Sequence, residues 1–124
     1  MSDTATEIVL LGCGRMGGAM LRRWLESGLS APRFHVIEPN PDDWLSRTAV
    51  AAGVRLNAAL PPAPACAIIA VKPQLMGAAL PQLTALPATT LFVSIAAGTT
   101  LSVLDRTLGG GRRIDLTFRA RVEL

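Results

Sequence analysis

The chain has 124 residues, half of them hydrophobic, and 12 basic against 9 acidic side chains give a formal net charge of +3. A domain of this size can bury about two thirds of the surface its unfolded chain exposes, so it needs neither disulfides nor metal to fold. Two cysteines and one histidine are too few for a metal cluster, the eleven arginines are scattered with few aromatics among them, and no apolar run approaches the ~18 residues of a membrane helix; metal, nucleic-acid and membrane partners are therefore not expected.

The first six residues carry no basic leader, which points to a cytoplasmic protein with free thiols. Residues 7–12, EIVLLG, form a short apolar run that stops at a glycine and predict a strand. A helix follows, with Met16, Met20, Trp24 and Leu25 at helical spacing and Gly28 at its C-terminal stop. RFHVIE predicts the second strand. In NPDDWLSRTAVAAG, Asn40 is the expected N-cap, Pro41 the first helical residue, Asp42 and Asp43 the acids of the first turn, and Gly53 the stop.

A short VRL strand and a proline-rich connector lead to CAIIAV, apolar throughout as buried parallel strands are. One or two short helical turns interrupted at Pro81 come next, then a fifth strand in LFVSIAAG. TTLSVLDRTLGGG predicts a last helix with threonine caps and a glycine stop. Such alternation predicts an α/β fold, a Rossmann-like doubly wound parallel sheet of order 3-2-1-4-5 over residues 1–114, with an atypical strand over 115–124. Its ligand crevice lies beyond the carboxyl ends of the strands, beside strand 1.

The chemistry-bearing residues fall at those ends. GCGRMG sets Gly12, Gly14 and Gly17 in the G-x-G-x-x-G pattern between a strand and a helix, a setting far more specific than the bare spacing. Gly12 suits a tight turn, Gly14 a close approach of diphosphate to backbone and Gly17 close packing of helix on strand, with helix N–H groups facing the anion. Cys13 lies within the loop, and Arg15 and Met16 border the coenzyme path, Arg15 reading equally as a phosphate partner or as an exposed first-turn residue. Glu38 ends the second strand 21 residues past Gly17, where an acid accepts hydrogen bonds from an adenosine ribose; taken alone it favours NAD over NADP, although a solvated turn acid fits the position as well. Lys72, the one lysine, follows the fourth strand, and Pro73 fixes its loop. Ala97 belongs to a small-residue stretch against which a nicotinamide ring could lie.

In this order and spacing, LGCGRMGGAML, AVKPQ and VSIAAGTTLSVL resemble the amino-terminal half of pyrroline-5-carboxylate reductase from about residue 7 to 114. The resemblance implies reduction of 1-pyrroline-5-carboxylate to L-proline with NADP or NAD as coenzyme. It also implies coenzyme contacts from the loop between Gly12 and Gly17, from Asn57 near the adenosine, from Val71 and Lys72 on the ribose side, and from Ala97 near the nicotinamide. Glu38 departs from the Ser, Asn or basic residue that NADPH-preferring relatives offer there.

The family's next stretch, resembling VRAMPNTPA, and its helical substrate domain have no counterpart here, so the chain is expected to hold the coenzyme half, with no catalytic residue of its own. The imine substrate then requires a second domain. The alternating run IDLTFRARVEL is too long for one small sheet at ~3.3 Å per residue and is expected to pair with a second chain, giving a homo-oligomer. Its arginines, with Arg112 and Arg113, are read as a solvated strand face. A β-hydroxyacid dehydrogenase shares the GxGxMG opening but wants an SGG element and a lysine-bearing helix further on. A non-catalytic, self-associating module with a vestigial coenzyme site is the other alternative.

Overall fold

The computed structural model describes residues 6–95 and 100–115. Six strands, β1 (Ile8–Leu11), β2 (Phe34–Ile37), β3 (Arg55–Leu56), β4 (Cys66–Ile69), β5 (Leu91–Ser94) and β6 (Arg113–Asp115), form one parallel sheet in the order β3-β2-β1-β4-β5-β6. The expected order is found, extended by one strand. The register sets Ile8 beside both Phe34 and Cys66, so β1 is flanked at full length on both sides and its apolar residues meet no solvent edge.

Strand alternation divides these residues between two cores. Val9, Leu11, Ala67, Ile69 and Phe92 face a layer containing α3 (Met76–Ala79) and α4 (Leu101–Thr107), where Met76, Leu80, Leu83, Leu104 and Leu108 complete the packing. Leu10, Phe34, Val36 and Ile68 face the other way, toward α1 (Arg15–Glu26) and α2 (Asp43–Ala52), which contribute Leu21 and Leu45. Each buried leucine or phenylalanine removes enough apolar surface to favour folding by about 1.5–3 kcal/mol. Burying both faces in this way is what lets the strands be apolar without a polar side.

Helix α1 turns Gly17 and Leu21 fully inward, while Met20, Trp24 and Leu25 flank that line and Met16 stays exposed at the first turn. Trp24 stacks on Phe34 at 5.6 Å between ring centroids. The stop at Gly28 is as predicted, its left-handed φ of +101° carrying the chain away from the helix. The cap of α2 is not: Asp42, in extended backbone, accepts from Leu45 N–H at 2.8 Å, and Pro41 precedes the cap. Asn40 lies two residues before the cap, in the turn after β2, where its N–H donates to Glu38 at 3.1 Å.

The carboxyl-terminal strand also begins differently from expectation. Ile114 pairs with Phe92 on the edge strand β6 and packs, half-buried, against the α3/α4 core, so the run's first residues belong to this sheet. Arg112 belongs to no solvated face: its guanidinium lies over Phe92 and donates to the carbonyls of Leu86 and Thr84, while Nε donates to that of Leu108. Arg113 is exposed, as expected. Of the 114–124 run expected to pair with a second chain, residues 116–124 lie outside the described residues.

Candidate coenzyme site

The turn from β1 into α1 is built by three glycines with three different jobs. Gly12 has φ +90°, and a Cβ there would stand 2.7 Å from Val71 Cγ1 and 3.0 Å from the Ala70 carbonyl. Gly17 is closer still: its Cβ would meet Gly12 O at 2.5 Å, so the helix sits directly on the turn that precedes it. Around Gly14, in contrast, a Cβ would find nothing within 4 Å. Protein packing explains the first and third glycines; the second leaves an open approach to backbone, the shape a diphosphate needs.

Electrostatics agree with that shape. The N-terminus of α1 has no side-chain cap and no acid in its first turn, whereas that of α2 is capped by Asp42 and followed by Asp43. The positive end of α1 is thus left for an external anion. Arg15 and Met16, both exposed, flank it.

The loop opens into a cavity of about 320 Å³ across the carboxyl ends of β1, β2 and β4. Gly12 and Gly14 form its inner end, Glu38, Pro39 and Asn40 one wall, and Ala70, Val71 and Lys72 another. Among the described lining residues, Glu38 and Lys72 are the charged groups, and they come from strands on opposite sides of β1. Pro73 opens the helical turn after Lys72 and shapes that loop.

Glu38 is held at every polar atom. Its Oε1 accepts from Cys13 N–H at 2.7 Å and its Oε2 from Asn40 N–H at 3.1 Å. Its main chain is gripped by Asn57, whose Oδ1 accepts from Glu38 N–H and whose Nδ2 donates to Glu38 O, both at 2.8 Å. Asn57 adopts a left-handed φ of +53° to do so, the region asparagine tolerates better than most residues. Burial, reinforced by the Glu38 and Asp42 carboxylates and opposed by Arg22, pushes the Cys13 thiol up to about 11. That thiol is a neutral packing group in the α1/α2 core.

The structure therefore brings Gly12, Cys13, Gly14, Glu38, Val71 and Lys72 to one place, with Arg15, Met16 and Gly17 at the adjoining helix start and Asn57 behind Glu38. Ala97 lies outside the described residues. One wall escaped the sequence reading: Leu75, Ala78, Ala79 and Gln82. Their spacing of three, four and seven is that of a single helical face, a signal masked by the proline at 81. Among the described residues, no group of His, Cys, Asp and Glu could hold a metal, and no helix is long and apolar enough to cross a membrane.

Solved structures with this fold include a pyrroline-5-carboxylate reductase from Coxiella burnetii, with TM-score 0.74 and 23% identity over 88% of this chain and 42% of the other. The Plasmodium falciparum pyrroline carboxylate reductase with NADP bound gives 0.71 and 17% over 90% and 41%. A diketoreductase gives 0.64 and 18% over 88% and 48%. The chain spans less than half the length of these proteins. Among curated proteins no sequence match is found. The model of one family, described as NADP oxidoreductase, coenzyme F420-dependent, matches residues 7–98, which takes in the glycine turn, Glu38, Asn57 and Lys72; the chain belongs to that family of NADP-dependent oxidoreductases.

Proposed function

We infer that this chain is the coenzyme-binding part of a reductase acting on 1-pyrroline-5-carboxylate. The observation that carries the coenzyme assignment is the open space at Gly14, between two glycines closed by protein and beneath an uncapped helix start. Backbone N–H groups at the start of α1 hold the diphosphate, Glu38 takes the adenosine ribose, Lys72 neutralises phosphate charge from the other wall, and the face formed by Leu75, Ala78 and Ala79 covers the adenosine. A bound nicotinamide dinucleotide supplies the hydride.

The substrate assignment rests on AVKPQ and SIAAG, whose resemblance is to the imine reductases; likeness of fold alone extends to the diketoreductase as well. Hydride transfer requires donor and acceptor carbons held close and aligned, and the cavity described here accounts for holding the coenzyme. The imine is held by residues outside it, so the isolated chain binds coenzyme without turnover. Calorimetric titration with nicotinamide dinucleotides tests the first part: saturable one-to-one binding is expected, and its absence contradicts it. Turnover of pyrroline-5-carboxylate by the isolated chain contradicts the second part.

A further inference from the structure

Resting on that assignment of the cavity, we propose that this chain selects NADH over NADPH, and that Glu38 is the discriminating residue because it occupies the place of the 2′-phosphate with a carboxylate held there by two hydrogen bonds. The family is described by NADP, so the residues at the adenosine end run against the family's coenzyme.

Position comes first. Glu38 lines the cavity at the turn after β2, where the adenosine ribose lies in a sheet of this topology. An ionised carboxylate offers about four lone-pair sites and no donor. Two are taken by Cys13 N–H and Asn40 N–H, which leaves room for two ribose hydroxyls as donors. A 2′-phosphate has a donor for neither site and adds close to two negative charges beside an existing one.

Rigidity decides the matter. A flexible glutamate could swing out and let phosphate approach the backbone. Here that movement breaks the bond to Cys13 in the glycine turn and the bond to Asn40, while Asn57 fixes the main chain from below through both N–H and carbonyl. The turn after β2 supplies no compensating cation, and Arg15, exposed at the first residue of α1, borders the diphosphate side of the path. The turn from Glu38 to Asp43 reads Glu-Pro-Asn-Pro-Asp-Asp, with three acids and no base. Arg22, the cation that acts on Cys13 in this region, is committed to the Trp44 ring at 4.4 Å. Lys72 stands across β1, at the end of β4.

The test is binding. Calorimetry on the full chain is expected to give NADH a Kd at least about tenfold below that of NADPH, the effect of one unfavourable charge contact of roughly 1.4 kcal/mol. 5′-AMP should exceed adenosine 2′,5′-bisphosphate by a similar factor, a pair that differs by the 2′-phosphate alone. In E38Q the preference should shrink to within about threefold. Equal binding of the two coenzymes, or tighter NADPH, overturns the proposal while leaving the site intact, and undiminished discrimination in folded E38Q overturns the role of Glu38. If E38Q does not fold, the two ratios measured on the native chain decide. Silence toward both coenzymes and both adenosine nucleotides overturns the site, and the preference with it.

Discussion

The side-chain amide of Asn57 makes two 2.8 Å hydrogen bonds to the main chain of Glu38, accepting from its N–H and donating to its carbonyl. The end of β2 is thereby tied to the residue just past β3, and the carboxylate that borders the coenzyme cavity is set from behind. Under the proposed assignment, Asn57 is a positioning residue that would act on a coenzyme through Glu38.

Asn57→Ala removes both bonds and places an ordinary side chain at a left-handed φ. A net hydrogen bond contributes about 0.5–1.5 kcal/mol, and the site is exposed, so a loss of about 1–2 kcal/mol in denaturant unfolding is expected. Coenzyme Kd should rise in the same variant. Asn57→Gly relieves the backbone but restores neither bond, and should recover part of the stability with none of the affinity.

Gly17→Ala and Gly14→Ala separate packing from binding. At Gly17 the new methyl would stand 2.5 Å from Gly12 O, and backbone must shift. Overpacking of this kind costs about 1–3 kcal/mol, and thermal unfolding should register it without any ligand. At Gly14 the methyl enters open space, so the apo chain should melt close to the native temperature while losing coenzyme binding.

Lys72 is exposed on the cavity wall opposite Glu38. Lys72→Gln should weaken coenzyme binding roughly tenfold, the scale of one charge-assisted contact, and the difference should narrow as salt is raised. Unchanged affinity at low salt would remove Lys72 from the site.

The Cys13 thiol, pushed up to about 11 by burial and the Glu38 and Asp42 carboxylates, gives the fold an alkaline limit. The folded state holds this proton where the unfolded chain, at the ordinary value of 9.0, releases it. The contribution is full below pH 9 and is lost as pH rises from 9 toward 11. Alkylation of Cys13 at pH 8 should be slow in native chain and fast in denaturant. In Cys13→Ser the alkaline loss between those pH values should diminish.

The strand order and the glycine turn were legible because both are local: apolar runs of strand length separated by helical spacing, and a right-handed crossover rule that leaves few topologies. What escaped is of two kinds. Asn40 and Asp42 are equally good caps in one turn, and helix-start rules do not choose between them; Asp42 takes the cap of α2. The wall formed by Leu75, Ala78, Ala79 and Gln82 has a readable helical spacing, yet Pro81 divides the segment into short turns whose common face is fixed only by packing on the sheet. Ile114 looks like the start of a free alternating run until Phe92, 22 residues earlier, is seen beside it.

The most direct test is an amide chemical-shift map of the chain titrated with ADP, which carries the diphosphate and adenosine without the nicotinamide. The largest shifts are expected at the N–H groups of Gly14, Arg15, Met16 and Gly17, with Glu38 and Lys72 responding from either side. A map centred on another surface, or one that leaves the β1–α1 turn unmoved at saturating nucleotide, contradicts the assignment of this turn as the diphosphate cradle.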